Sequence, residues 1–300
     1  SLIRDGVTAA PLLALTLFAG PTLADDPFAD GVTSYIAGEG AAAGYDDAAT
    51  AIGPPERFTG EGFGFPSVVS PFSSPFGTDE IVSIGTGGEL VMTFDPPIAD
   101  DPRNPFGVDF LLFSNNFFID DFAEPGVLVI GFFSENGIVE VSEDGVTWTD
   151  VTPTSGLFPA AGYRDAGAFD SEPGRVLTNF TRPVDPALTT GDFLGLDLAG
   201  VMTLYGSSGG GNGIDIASLG APAAFVRVRN LTEGISIEID AAVDVSPLGD
   251  VNQDGLVGVD DLLAVLGVWG AVLPGDDADL NQDGVVNVDD LLTVLGQWDA

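Results

Sequence analysis

The chain contains no cysteine, no histidine and no lysine. Without cysteine it forms no disulfide bond and offers no thiolate nucleophile. Without histidine it has no imidazole ligand for zinc and no Ser-His or Cys-His catalytic pair. If the protein is secreted, packing and bound metal must therefore stabilise it without covalent cross-links.

Positive charge is also scarce. Eight basic residues, all arginine, stand against 46 acidic ones, and the formal net charge of the 300 residues is −38. Such a polyanion repels nucleic acids and anionic membranes and attracts cations. The composition thus excludes a nucleic-acid partner and favours a calcium-rich or saline medium. A second interpretation, that the acidity only aids solubility, stays open.

The first residues have the layout of a targeting segment. Arg4 precedes a short apolar stretch from Ala9 to Ala19, and a small-x-small motif ends at Ala24. This arrangement predicts a secretory signal peptide over residues 1–24 and hence a secreted or cell-surface protein. The alternative is a buried N-terminal strand or helix. Ser1 in place of methionine predicts a truncated start, and no later segment predicts a transmembrane span.

Residues 25–245 have the pattern of an all-β domain. Val139 and Val141 alternate with polar residues, as do Val226 and Val228, and hydrophobic alternation of period two is typical of strands with one buried face. The further predicted strands are Glu89–Phe94, Val108–Phe113, Val127–Phe133 and the alternating run from Ile235 to Asp240. The sequence Glu143-Asp144-Gly145 predicts a hairpin turn. Many short strands separated by turns predict a β-sandwich.

The pattern changes after a short linker, Ser246-Pro247-Leu248-Gly249. Residues 246–300 hold 11 aspartates, no glutamate and no basic residue. Two 22-residue windows, starting at Asp250 and Asp279, share 16 identical positions at a period of 29 residues. Each window continues into apolar residues at helical spacing. We therefore expect a small all-α domain made of two loop–helix units.

Both windows carry oxygen side chains at loop positions 1, 3, 5 and 12, with glycine at position 6, which is the spacing of an EF-hand-like calcium loop. The first loop predicts the ligands Asp250, Asn252, Asp254, the Leu256 carbonyl and Asp261. The second predicts Asp279, Asn281, Asp283, the Val285 carbonyl, Asn287 and Asp290. Magnesium fits less well because it prefers a stricter octahedron with retained waters. The alternative is an Asp/Asn-rich turn that only caps a helix.

The tandem from Gly249 to Ala300 resembles a type I dockerin. The resemblance implies two bound Ca²⁺ ions and a cohesin-like or envelope protein as partner, often for proteins that act on polysaccharides. Where cellulosomal dockerins present a Ser/Thr pair to cohesin, this chain has Val259-Asp260 and Val288-Asp289. We expect Val257 and Val286 to join the loops through the core. The repeated Val/Leu/Trp face, with Trp269 and Trp298, predicts a partner surface; alternatively both tryptophans close the small core.

The larger domain contains, in this order, the run Ser83–Asp95, the motif Gly107-Val108-Asp109-Phe110, the run Val139–Gly145 followed by Trp148, and the motif Gly213-Ile214-Asp215-Ile216-Ala217. From about residue 45 to residue 245 this order is similar to discoidin-like or galactose-binding-like jelly-roll modules of bacterial cell-surface proteins. That resemblance implies loop contacts to carbohydrate, for which the candidates are Phe117, Phe118, Tyr163 and Tyr205 as stacking faces and Arg164 as hydrogen-bond donor. The acid clusters that could hold a further calcium, or else form solvated turns, are Asp95, Asp100, Asp101, Asp109, Asp120 and Asp121.

Three functions fit these features. The first is a secreted binding protein, non-catalytic, in which a calcium-loaded dockerin attaches a carbohydrate-binding or adhesion module to its partner. The second is a dockerin-bearing polysaccharide hydrolase or lyase that uses paired carboxylates. With 46 acids a carboxylate pair can always be nominated, so the sequence does not single one out. The third is a structural component of a surface layer.

Overall fold

The computed structural model describes residues 26–122, 128–153, 157–273 and 275–299. The predicted signal peptide, residues 1–24, lies outside the described residues, and so does Val127 at the start of a predicted strand. Within the described ranges, no helix combines the length and the apolar character that crossing a membrane requires.

The described residues contain fifteen strands, most of them short. In chain order these are β1 Gly31–Ile36, β2 Phe58–Thr59, β3 Ser67–Val68, β4 Val82–Ile84, β5 Glu89–Ile98, β6 Phe110–Ser114, β7 Phe117–Asp120, β8 Val129–Phe133, β9 Ile138–Ser142, β10 Thr149–Asp150, β11 Asn212–Ile214, β12 Ala223–Arg229, β13 Ile237–Asp244, β14 Gly270–Ala271 and β15 Val285–Val286. The α-helices are α1 Thr190–Phe193, α2 Leu198–Tyr205, α3 Val259–Gly267 and α4 Val288–Gly296. Short 3-10 turns span Ala48–Ala51, Glu61–Phe63 and Pro105–Gly107.

Two antiparallel sheets form the β-sandwich that the sequence predicts. One has the strand order β1-β5-β12-β9-β10, and the other has the order β11-β6-β13-β4. The core between them is apolar and includes Met92, Val141 and Val228 from the first sheet and Phe110 and Ile239 from the second. The predicted hairpin is confirmed, because β9 pairs with β10 and Gly145 adopts a positive φ of 70°.

The outer face of the second sheet is not open to solvent. The alternation in β13 predicts that Glu238 and Asp240 face water, but both are buried. A layer of loops covers this face, and Val69 and Phe180 of those loops pack on Leu111 of β6 and on Val243 of β13. Strand β6 is thus buried on both sides, as its continuous apolar run predicts, although one side is covered by loops rather than by a sheet.

Strand β8 does not fit the prediction of a strand buried between two sheets. It pairs only with β7 in a two-stranded ribbon. Val129 is buried beneath α1 and α2, whereas Ile130 and Phe133 are exposed. The apolar run therefore marks a ribbon that covers a second, smaller core of aromatic side chains.

The expectation of a distinct all-α dockerin domain at the C-terminus is wrong. The segment does contain two nine-residue helices, α3 and α4, after the two loops, but it also contains the antiparallel ribbon β14-β15. The ribbon forms because the extended residues after α3 pair with Val285 and Val286 of the second loop. The first loop makes the equivalent pairing with the residues after α4. There the Asp299 backbone N–H donates to the Val257 carbonyl at 3.0 Å.

The C-terminal segment is also tied to the sandwich by arginine. The buried Arg182 guanidinium donates to the backbone carbonyls of Pro247, Leu248 and Asp250 at 3.1, 2.7 and 3.0 Å. Arg103 forms an ion pair with Asp299 at 2.5 Å. The chain from Ser246 to Asp250 is consequently held against the sandwich instead of running through solvent as a linker.

Candidate metal centre

The first loop is shaped by its own backbone requirements. Gly255 at position 6 has a φ of 81°, which lies in the left-handed region that glycine adopts without strain. Gln253 has a φ of 62° and helps to turn the chain back toward Asp250. After the loop, helix α3 begins with the Asp261 carboxylate accepting from the Gly258 N–H at 2.8 Å. Loop and helix are therefore fixed to each other through position 12.

Asp250 and Asp261 are the buried ends of this loop, 0% and 1% exposed. The Asp250 carboxylate accepts from the backbone N–H groups of Asp254 and Gly255, each at 3.1 Å. Asp261 Oδ1 accepts from Val251 and Asn252 at 2.7 and 3.0 Å. These bonds wrap the loop around the two carboxylates, so the predicted positions 1 and 12 are brought to one centre.

The second loop repeats the same bonds. Asp279 accepts from Asp283 and Gly284 at 3.1 and 2.8 Å, and Asp290 accepts from Leu280 at 2.9 Å. Asp290 Oδ2 accepts from the Asn287 N–H at 2.8 Å, as Asp261 does from Gly258 in the first loop. The duplication in sequence is therefore a duplication of hydrogen bonds, although among the described residues of the segment only the first loop brings three carboxylates within 4.8 Å of one another.

Positions 3 and 5 of the loops lie at the exposed side. The Asn252 and Asn281 side-chain oxygens accept from the N–H groups of Asp254 and Asp283 at 3.1 and 3.0 Å. Asp254 lies with Asp250 and Asp261 in a group whose carboxylate oxygens are all within 4.8 Å of one another. Three predicted ligands of the first loop thus converge on one point.

The predicted ligand set is less complete at loop positions 7 and 9. The N–H groups of Leu256 and Val285 donate to the aspartates at position 5 at 3.0 and 2.9 Å. Asn287 caps α4, since its Oδ1 accepts from Asp289 and its Nδ2 donates to the Val285 carbonyl. Its amide would have to turn away from the helix to reach an ion, whereas Gly258 in the first loop offers no side chain.

The chemistry of these residues fits a hard cation. Carboxylate, amide and carbonyl oxygens are the ligands of Ca²⁺. The described residues of the loops include no histidine nitrogen and no cysteine sulfur that could act as a metal ligand. A carboxylate oxygen that accepts one N–H keeps a second lone pair for an ion. Burial raises the pKa of Asp250, and the neighbouring Asp261 carboxylate adds to that rise. A divalent ion would relieve this repulsion.

The acid clusters of the sandwich are arranged differently from the prediction. Asp100 and Asp109 do come together, with Asp215 as a third partner that the sequence pattern did not indicate. Asp101 forms an ion pair with Arg103 at 2.7 Å, and this pairing holds the pKa of Asp101 below its ordinary value. Asp95 is exposed, and Asp120 and Asp121 lie at the end of the β7-β8 ribbon. The six predicted acids therefore do not form one site.

The predicted carbohydrate contacts are split between surface and core. Phe118 and Tyr205 are buried in the aromatic core, where they pack on Phe193, so they offer no stacking face. Phe117 stacks on Phe133 and is half-buried. Tyr163 and Arg164 are partly exposed beside the C-terminal segment.

Each of the two repeats leaves large apolar side chains exposed to solvent. Trp269 is 52% and Trp298 40% exposed, so neither closes the core of the segment. The core consists instead of smaller residues, among them Val257 and Val286, which meet as predicted. The exposed members of the face are Val259, Leu263, Leu266, Val288, Leu292 and Leu295 together with the two tryptophans, and we call this set the repeat face.

Sequence reasoning missed the residues that join distant parts of the chain. Arg182 was not singled out, although an arginine in an acidic chain next to buried carbonyls is a structural anchor. Glu135 and Glu238 line one cavity although they are about a hundred residues apart.

Comparisons with profiles of known protein families, with curated proteins and with solved structures gave no match to this chain.

Proposed function

We propose that the C-terminal segment binds two Ca²⁺ ions and, in that state, docks the β-sandwich onto a partner protein. The observation that carries the proposal is the pair of loops with buried aspartates at positions 1 and 12 in identical hydrogen-bond settings. The resemblance of these repeats to type I dockerins supports the same function.

Charge and burial support the calcium step. The four end aspartates Asp250, Asp261, Asp279 and Asp290 are buried, and in the described residues no arginine side chain bonds to their carboxylates. Arg182 is the charge near Asp250 and Asp261, but its guanidinium bonds to the Asp250 backbone carbonyl. Buried carboxylates need a compensating positive charge or a proton. Near neutral pH a divalent cation from the medium is the partner that the polyanionic composition would attract.

The repeat face supports the docking step. The two repeats leave eight large apolar side chains at least 40% exposed, and exposed apolar side chains that gather into a patch mark interaction sites. Exposed Asp260 and Asp289 lie within the same first helical turns. The complementary partner is therefore a protein with an apolar patch and a basic rim, as we expect of a cohesin-like domain or an envelope protein. The sandwich would be the cargo, a surface-adhesion or carbohydrate-binding module in a secreted protein.

Calorimetric titration of the full chain with Ca²⁺ tests the first step, and we expect uptake at the two loops that is lost in a variant with Asp250→Asn and Asp279→Asn. Absence of uptake near neutral pH by the unaltered chain would overturn the proposal. The matched control is Asp260→Asn with Asp289→Asn, which removes two exposed charges from the neighbouring helical turns.

Binding of purified cohesin domains, with Ca²⁺ or with chelator, tests the second step. The variant Leu263→Asp with Leu292→Asp changes the repeat face but no loop ligand. We expect it to keep its calcium uptake and to lose calcium-dependent binding. A partner that binds this variant as tightly as the unaltered chain would rule out the repeat face as the docking surface.

A further inference from the structure

A small cavity lies at one end of the sandwich, and none of its lining residues belongs to the two loops of the C-terminal segment. Its volume is about 70 Å³, and its apolar walls include Leu112 and Ile239 from one sheet and Val139 and Val228 from the other. Its polar lining includes Glu135, Glu238 and Asn116. A cavity this size has room for an ion with a few waters but not for a sugar ring, since ligand pockets are usually several hundred Å³.

The two glutamates are in unequal settings. Glu238 is 7% exposed, and its carboxylate accepts from the hydroxyls of Ser83 and Ser236 at 2.8 and 2.7 Å and from the Asn115 amide at 3.3 Å. Glu135 Oε2 is buried and has no hydrogen-bond partner. Glu238 thus accepts from three donors, and a side-chain hydrogen bond joins the Glu135 carboxyl group to it, which leaves only Oε2 of Glu135 without a partner.

A second oxygen without a partner lines the same cavity. Asn116 is 3% exposed, and its Oδ1 accepts no hydrogen bond, while its Nδ2 donates to Asn212 at 3.4 Å. Buried polar atoms without a partner are rare, and each one calls for an explanation. Here a buried amide oxygen, which only accepts, and a buried carboxyl oxygen without a partner both leave room for a positively charged occupant.

No arginine lines the cavity among the residues that the structure describes. Two carboxyl groups in a mostly apolar cavity need a compensating positive charge or a shared proton, because burial of like charges is costly. The ligands are hard oxygens only, which suit Ca²⁺ better than softer metals.

We propose that Glu135, Glu238 and Asn116 form a third cation site, of the calcium class, inside the sandwich. The carboxylates supply the charge, the Asn116 oxygen supplies a neutral ligand, and water completes the coordination in the remaining space. Such an ion would pin β13 to the turn before β9 and so lock the two sheets together at this end of the sandwich.

The test is the number of Ca²⁺ ions that the full chain binds, measured by equilibrium dialysis at saturating Ca²⁺. The variant Glu135→Gln with Glu238→Gln should bind one ion fewer than the unaltered chain. The control Glu143→Gln with Glu233→Gln removes two exposed glutamates, so it matches the loss of charge and should bind the full number. Equal uptake by all three proteins would overturn the site and leave a carboxyl pair that shares a proton.

A second variant keeps the test decisive if the double substitution does not fold. Asn116→Asp adds a charge at the oxygen without a partner, and we expect it to tighten this site by at least about tenfold, because a ligand charge near a cation contributes more than 1 kcal/mol even when partly screened. Unchanged affinity would overturn the proposal. Failure of the loops is distinguishable from failure of this site, because the loop variant Asp250→Asn with Asp279→Asn removes two ions and leaves the third.

Discussion

The sandwich and the C-terminal segment bury carboxylates in opposite ways. In the segment each buried aspartate lies within 12 residues of its partner and accepts backbone N–H groups from its own loop. In the sandwich the buried acids meet from distant positions, as Asp240 does with the backbone of Glu56. The segment thus wraps its own backbone N–H groups around each carboxylate, whereas the sandwich builds long-range polar contacts that hold loops on a sheet.

The difference extends to the charge that balances each acid. Glu140 of the sandwich is paired with Arg227 and Arg229 at 2.7 and 2.6 Å. Burial raises the pKa of Asp240 well above its ordinary value and that of Glu135 to about 8, so these groups hold protons when no cation compensates them. The segment has no arginine of its own, and we therefore expect it to depend on calcium far more than the sandwich does.

Chelation should give the largest effect and should separate the two regions. Removing Ca²⁺ from the full chain is expected to unfold α3 and α4 and to leave most of the sandwich folded. An ion present at a thousandfold excess over its Kd contributes about 4 kcal/mol per site, which is large for so small a core. Far-UV circular dichroism should show loss of helix in EDTA and recovery when Ca²⁺ is returned.

Addition of Mg²⁺ instead of Ca²⁺ after chelation is the control for that experiment. Mg²⁺ prefers a stricter octahedron and should restore the helices poorly. Helix that is unchanged by EDTA would contradict the dependence on calcium. Loss of the β signal at the same EDTA concentration would contradict the independence of the sandwich.

The next largest effect is expected at loop position 12. Asp261→Asn removes a charge that would bind the ion and replaces one acceptor of the N–H groups around the loop with a donor. We expect a loss of about 3 kcal/mol in the stability of the segment with Ca²⁺ present, given that hydrogen bonds to charged groups contribute about 1.5 to 3 kcal/mol. Thermal unfolding followed at 222 nm measures it.

Asp260→Asn is the matched control, since Asp260 is the adjacent residue, has the same charge and is exposed. It should change the melting temperature little. Equal losses in the two variants would mean that general charge, rather than the cradle, stabilises the segment.

These local features explain what the sequence could predict. The ligands of each loop fall within a single window, so spacing alone identified Asp250, Asp254 and Asp261, which the structure brings within 4.8 Å. The β alternation likewise placed Val139 and Val141 in the core. Both signals depend on neighbours along the chain, which is the information that a sequence pattern contains.

The rest depends on contacts between distant residues. The burial of Glu238 and Asp240 follows from loops that cover the second sheet. The hydrophobic alternation of β13 does not predict those loops. The β14-β15 ribbon formed because residues after one helix pair with the opposite loop, which made the all-α expectation wrong. Arg182 was missed because its partners are backbone carbonyls, which have no side-chain signature.

Arg182 therefore offers a way to test how far the two regions are coupled. Arg182→Met keeps the side-chain bulk but leaves the carbonyls of Pro247, Leu248 and Asp250 without their donor. We expect a loss of about 2 kcal/mol, because buried carbonyls that lose a charged donor are left unsatisfied. Differential scanning calorimetry should then resolve separate transitions for the sandwich and the segment.

Arg175→Met is the control, because Arg175 is an exposed arginine of the same acidic chain. The calorimetric unfolding transition of Arg175→Met should match that of the unaltered chain. A single unchanged transition in Arg182→Met would show that the ion pair of Arg103 with Asp299 suffices to hold the segment.

The smallest expected effect is a pH dependence that belongs to the sandwich alone. Burial, followed by the charges of Glu80, Asp79 and Glu61, raises the pKa of Glu56 from 4.5 to about 7. The folded protein therefore keeps the Glu56 proton up to a higher pH than the unfolded chain does. The contribution of Glu56 to the free energy of unfolding consequently declines as the pH rises from 4.5 toward 7. Glu56→Gln, which cannot ionise, should remove that decline.

We expect Glu56→Gln to gain up to about 1 kcal/mol relative to the unaltered chain near neutral pH, after screening by solvent, and to gain less as the pH is lowered. Urea unfolding of the sandwich at several pH values measures this difference. Glu143→Gln, at an exposed position, should show no such trend. The calcium loops should respond in the opposite direction, since protonated aspartates release the ion. Acidification in Ca²⁺ therefore weakens the segment while it favours the protonated Glu56 of the sandwich, so the stabilities of the two regions should shift in opposite directions.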